Sequence, residues 1–132
     1  MTDAFVPTLA SILLRVAFVA LFLANVIPKF SGGAAGVVKY FEGEFTGSWL
    51  PAWIVDLIAR LSGPVELLIV LWLATGVALP WGWFFAGLWC VSLAFGMAIA
   101  GKYADSARDF IYVGLATAGL MLSPFDPFRL AF

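Results

Sequence analysis

The chain has 132 residues, 64% of them hydrophobic and 11% charged, with a formal net charge of -1 and a mean hydropathy of +1.05. A soluble domain is nearer half apolar and a quarter charged, so this composition points to an integral membrane protein of one bundle, with no second domain. There is no basic cluster to hold nucleic acid. The absence of histidine excludes His-ligated haem and imidazole metal sites, and the one cysteine, Cys90, excludes an intrachain disulfide or a Cys-x-x-Cys pair.

The opening Met1-Thr2-Asp3-Ala4-Phe5 is acidic and lacks the positive n-region of a signal peptide. The first apolar segment therefore reads as a retained anchor. Helix 1 is predicted over about 7–28, with Pro7 in its first turn. That is roughly 20 residues, enough for a hydrocarbon core of about 30 Å. Arg15 lies inside this apolar run, Asn25 lies near its far end, and Lys29 marks the exit.

Residues 31–51 read as a connection, opened by Ser31-Gly32-Gly33 and closed by Gly47-Ser48-Trp49-Leu50-Pro51. The stretch between mixes apolar and charged residues and is too short to span. An interfacial turn or short amphipathic helix is expected there. Helix 2 is predicted over about 52–79, with Asp56 and Arg60 as an i,i+4 pair on its wet end and a kink at Gly63-Pro64. Pro80-Trp81-Gly82-Trp83 reads as a tight turn at the membrane surface. Helices 3 and 4 are predicted over about 83–100 and 107–123, closed by Pro124-Phe125-Asp126-Pro127. The fold class is thus all-α: a transmembrane four-helix bundle with a short interfacial segment between helices 1 and 2.

Small residues recur four apart at Ala20/Ala24, Ala94/Ala98, Gly96/Ala100 and Gly114/Ala118, a spacing that lets helix backbones approach in lipid. The connections after helices 1 and 3 carry Lys29, Lys39, Lys102 and Arg108, and the opposite side has only Arg129. The positive-inside rule then puts both termini outside.

The residue around which the reading turns is Glu66, a carboxylate within an apolar helix. Such a group in hydrocarbon costs roughly 3 kcal/mol or more unless it faces the interior with a partner. Arg15 is the expected partner, because helices 1 and 2 should be antiparallel neighbours. Counted from Lys29 and Trp53, the two charges lie about 21 and about 20 Å into their helices at 1.5 Å per residue. One reading makes Arg15–Glu66 a structural ion pair that fixes register. The other makes it the polar floor of a ligand pocket, for a quinone carbonyl or for proton relay.

A second polar group comprises Lys102, Tyr103, Asp105, Arg108, Asp109 and Tyr112. It reads either as a solvated loop with helix-end charges, Asp109 falling in the first turn of helix 4, or as the mouth of the pocket. Tyr103, Arg108 and Asp109 are the candidate ligand-binding residues there. Trp72 and Trp89 read as packing residues that would also stack against a quinone ring, and Cys90 as a small apolar filler.

The chain resembles the DoxX family of small four-helix membrane proteins over nearly its whole length. The resemblance rests on Leu14-Arg15, on Pro28-Lys29-Phe30, and on a connection containing Phe41 and Pro51. It continues through Gly63-Pro64-Val65-Glu66, Leu73-Ala74-Thr75-Gly76, Arg108-Asp109 and Ser123-Pro124-Phe125-Asp126. Where that family often has Gly shortly before the Lys closing helix 1, this chain has Asn25-Val26-Ile27-Pro28.

The resemblance implies a membrane subunit of a respiratory or quinone-linked oxidoreductase in a bacterial or archaeal cytoplasmic membrane, not catalytic alone. Quinone is the candidate cofactor, and lipid and other membrane subunits, in a homo- or hetero-oligomer, are the candidate partners. The alternative is a non-catalytic scaffold, assembly or maturation subunit. A four-span transporter is a weaker third reading, since no inverted repeat is evident.

Overall fold

The structure is a computed structural model that describes residues 4–130, so Met1, Thr2 and Asp3 lie outside the described residues. It holds four α-helices: α1 (Phe5–Glu44), α2 (Ala52–Thr75), α3 (Leu79–Ile99) and α4 (Tyr103–Leu122), followed by a single 3-10 turn, Ser123–Phe125. No strand occurs among the described residues; one isolated bridge pairs Val77 with Leu130. Two helices, α1 and α3, are long and apolar enough to cross a membrane, with mean hydropathies of 2.3 and 1.7 over their best windows.

The bundle is built from two antiparallel hairpins, α1–α2 and α3–α4, which meet along α1–α4 and α2–α3. Each helix therefore has two neighbours around a common centre. That centre is occupied by Phe18 and Phe22 of α1, Ile69, Val70 and Leu73 of α2, Trp83, Ala86 and Cys90 of α3 and Ala116 of α4, with Leu79 closing one end. Phe18 meets Phe22 and Trp83 edge-on, with ring centroids 5.7 and 5.1 Å apart, the geometry favoured by aromatic quadrupoles. Cys90 is a buried core residue, as expected of an apolar filler.

The element boundaries differ from the sequence reading in ways that matter for the site. Residues 31–44 are helical, in keeping with the short helix expected there, but follow the first helix with no loop between. They continue α1, which breaks direction at Gly33 (φ 75°, ψ 167°) and resumes as helix. A left-handed φ is open to glycine at no steric cost, so the break falls there and not at Pro28. Beyond the break, Val38 and Phe41 pack against Val55 and Ala59 at the start of α2.

Helix α2 passes unbroken through Gly63-Pro64 and ends at Thr75, because Gly76 takes up a left-handed C-cap at φ 76°. Pro80 does not make a turn; it occupies the first turn of α3, where its missing N–H has no helical partner to lose. Tyr103 opens α4 earlier than predicted, so Asp109 lies in its second turn.

The close α3–α4 contacts are made by glycines other than Gly114. A Cβ on Gly87 would touch Ala116 at 3.5 Å, and one on Gly119 would strike the Trp83 ring at 2.5 Å, whereas one on Gly114 would meet nothing within 4 Å. Ser106 Oγ fastens the far end of the same hairpin by donating to the Ala94 carbonyl at 2.7 Å. Ser92 and Thr117 satisfy themselves on carbonyls one turn back, as does Thr75 three residues back.

A polar cavity on a lysine–glutamate floor

The expected Arg15–Glu66 pair does not form. The continuation of α1 to Glu44 leaves a link of only seven residues, 45–51, before α2. The antiparallel register is therefore set by a turn near residue 48, not by a long connection starting at Lys29. Lys29 consequently comes level with Glu66, and Arg15 lies farther along, opposite the C-terminus of α2. The depth count therefore pairs Glu66 with the wrong cation.

Arg15 instead closes one end of the bundle. Its Nη1 donates to Asp126 Oδ1 at 2.9 Å. Nε donates to the Leu73 carbonyl at 2.6 Å and Nη2 to the Ala74 carbonyl at 3.0 Å. Leu73 and Ala74 lie in the last turn of α2, whose carbonyls have no intrahelical donor. One planar guanidinium thus caps α2 and binds a carboxylate together. Asp126, 1% exposed, also accepts from Ser11 Oγ at 3.3 Å and the Phe128 amide at 2.8 Å. The segment after α4 then folds back across the α2–α3 turn: the Leu130 amide donates to Gly76 at 2.8 Å and the Ala78 amide to Leu130 at 2.9 Å.

Glu66 sits at the second polar centre, its side chain 3% exposed. Lys29 Nζ donates to one carboxylate oxygen at 2.7 Å, and the Trp89 indole N–H donates to the other at 3.0 Å. Charge-assisted bonds to both oxygens are what a buried carboxylate requires. Trp89 therefore does more than pack. Trp72, by contrast, donates its indole N–H to the Val77 carbonyl at 2.7 Å and tilts against Phe85.

A cavity of about 750 Å³ opens beside the Lys29–Glu66 pair and draws its walls from all four helices. Lys29 and Asn25 line it from α1, Glu66 from α2, Met97 from α3, and Arg108, Asp109 and Tyr112 from α4. The break at Gly33 turns residues 36–41 over it, so that Tyr40 and Phe41 also face it. Of the sequence candidates, Glu66, Arg108 and Asp109 therefore come together at one cavity. Tyr103 does not join them: it is 73% exposed, and Arg15 lines a separate, apolar groove of about 440 Å³ with Ile12, Val16, Val19 and Phe128.

The second predicted polar group divides. Arg108 pairs with Asp105 at 3.4 Å on the rim. Lys102 reaches across to pair with Glu44 at the end of α1, and that hydrogen bond, more than the nearby charges, raises the Lys102 pKa above its usual 10.5. Asp56 and Arg60 form the expected i,i+4 pair at 3.0 Å. Lys29 and Asp126 are the charged partners that sequence reasoning did not assign to these two polar centres. No group of three His, Cys, Asp or Glu side chains converges to hold a metal among the described residues. Comparison with known protein families, with curated proteins and with solved structures finds no match.

Proposed function

We propose that the chain is a four-span integral membrane protein whose cavity beside the Lys29–Glu66 pair receives the head group of a small membrane-soluble molecule. The single observation carrying this reading is the cavity of about 750 Å³ set against a buried Lys29–Glu66 pair. That volume lies in the range of small-molecule sites, where convergent polar groups fix a ligand's orientation.

The membrane setting is supported by the outward faces of the helices. Leu9, Leu13, Val16, Leu23 and Ile27 on α1, and Phe84, Phe85, Leu88, Val91 and Phe95 on α3, are all exposed, far more apolar surface than a soluble monomer shows. Exposed Trp53 at one end of α2 and Trp81 just beyond the other suit two interfacial belts. From Trp53 to Thr75 is about 33 Å of helix, close to the thickness of a hydrocarbon core.

Within that setting the reading is a DoxX-like membrane subunit of a quinone-linked oxidoreductase, with the Lys29 ammonium as hydrogen-bond donor to a quinone carbonyl. Purification in mild detergent followed by lipid extraction tests it: about one quinone per chain is expected. Glu66→Gln should lower turnover of the assembled complex without loss of protein. Quinone-free protein, with full turnover of the variant, would rule it out. A scaffold role is the second reading, favoured by the continuous apolar stripe on α1. It predicts instead that removing the chain releases a partner from the membrane.

A further inference from the structure

We propose that the cavity selects a ligand bearing one positive charge, with Asp109 as its counter-ion. The inference rests on the cavity being a ligand site and does not require that ligand to be a quinone. Its starting point is the charge balance of the walls. Glu66 is matched by Lys29 at 2.7 Å, and Asp105 is matched by Arg108 at 3.4 Å. Asp109 remains. It is 8% exposed, lines the cavity, and has neither an ion pair nor a side-chain hydrogen bond among the described residues.

A carboxylate with these surroundings is costly in a bundle bathed by lipid, and such groups mark the path or seat of a charged substrate. The other walls fit the same ligand. Tyr40, Phe41 and Tyr112 bring three aromatic rings to the cavity, and the face of an aromatic ring attracts an organic cation. A divalent metal ion fits poorly, because no group of three His, Cys, Asp or Glu side chains converges there among the described residues and such an ion takes about six or more oxygen ligands. An anionic ligand would meet the unmatched carboxylate directly. The chemistry that satisfies both the carboxylate and the rings is a lipophilic organic monocation.

The test uses two probes of like shape and opposite charge, tetraphenylphosphonium and tetraphenylborate, in equilibrium dialysis against the full chain in phosphatidylcholine nanodiscs. Empty nanodiscs provide the correction for partition into lipid. Saturable phosphonium binding is expected, with tetraphenylborate weaker by about tenfold or more, the scale of one unscreened charge contact. Asp109→Asn should abolish the preference and Asp109→Glu should retain it. Asp56→Asn, on the surface pair with Arg60, should leave it unchanged.

Borate binding as tight as phosphonium in the unaltered chain overturns the proposal whether or not any variant folds, as does a preference that survives Asp109→Asn. If quinone co-purifies while phosphonium does not bind, the charge selection alone is wrong. If neither binds, the cavity is no ligand site and both readings fall.

Discussion

The Lys29 ammonium and the Glu66 carboxylate meet at 2.7 Å across the α1–α2 seam, with the glutamate side chain 3% exposed and the lysine 21%. Breaking such a pair from one side strands the other charge. Lys29→Met is expected to destabilise the bundle by about 3–5 kcal/mol, the range for removing one partner of a buried pair. The double variant Lys29→Met, Glu66→Leu should recover most of that loss. Melting followed by circular dichroism in one detergent checks both. A single variant as stable as the parent would show that the pair carries no structural weight.

Arg15 offers a sharper contrast, because its three contacts need the geometry of a guanidinium. Arg15→Lys keeps the charge but cannot reach Asp126, Leu73 and Ala74 together. Both Arg15→Lys and Arg15→Ala are therefore expected to lower the melting point. Arg15→Ala should cost about 3–5 kcal/mol by leaving buried Asp126 without its cation. Limited proteolysis should cut the segment 126–130 faster in both. A fully stable Arg15→Lys would mean that charge alone suffices.

How much of this was legible in the sequence depends on the residue. Composition and apolar runs placed four helices, because burial and membrane exposure both demand long apolar stretches. Glu66 declared itself as a lone carboxylate in such a run. Its partner did not, since Lys29 looked like a helix exit only if Ser31-Gly32-Gly33 ends the helix. The chain instead changes direction at Gly33 and stays helical, so the register of α1 on α2 moves by several residues. Asp126, between a phenylalanine and a proline, reads locally as loop. Its burial arises from fold-back contacts with Ser11 and Arg15, which no local pattern encodes. A lone cation far from the helix ends, as Arg15 was, did signal a partner; the pattern simply could not say which.

Two glycines of α4 should respond in opposite directions. A methyl at Gly119 would fall 2.5 Å from the Trp83 ring, which is 1% exposed. Gly119→Ala is expected to destabilise by about 1–3 kcal/mol through overpacking. Gly114 faces open space, so Gly114→Ala should stabilise by about 0.5–1 kcal/mol through helix propensity. Melting of the two single variants side by side decides it. Equal shifts would contradict the α3–α4 packing described.

The Lys102–Glu44 contact gives a pH dependence of known sign. The hydrogen bond to Glu44 raises the lysine pKa above its usual 10.5. A group whose pKa is raised by folding contributes stability that is fully present below its unfolded value and lost as pH rises through the folded one. The melting point should therefore fall as pH climbs above 10.5, with part of that fall absent in Lys102→Met. Identical alkaline profiles for the two proteins would show that the contact does not persist in solution.

The Arg15–Asp126 link joins residues 111 positions apart. During synthesis the arginine is made long before its aspartate, and the α2 carbonyls at Leu73 and Ala74, its other acceptors, also precede that aspartate. The nascent protein must therefore carry that cation without its carboxylate through most of its synthesis. Closure of that end of the bundle becomes a late event, governed by arrival of the fold-back segment and not by the helices themselves.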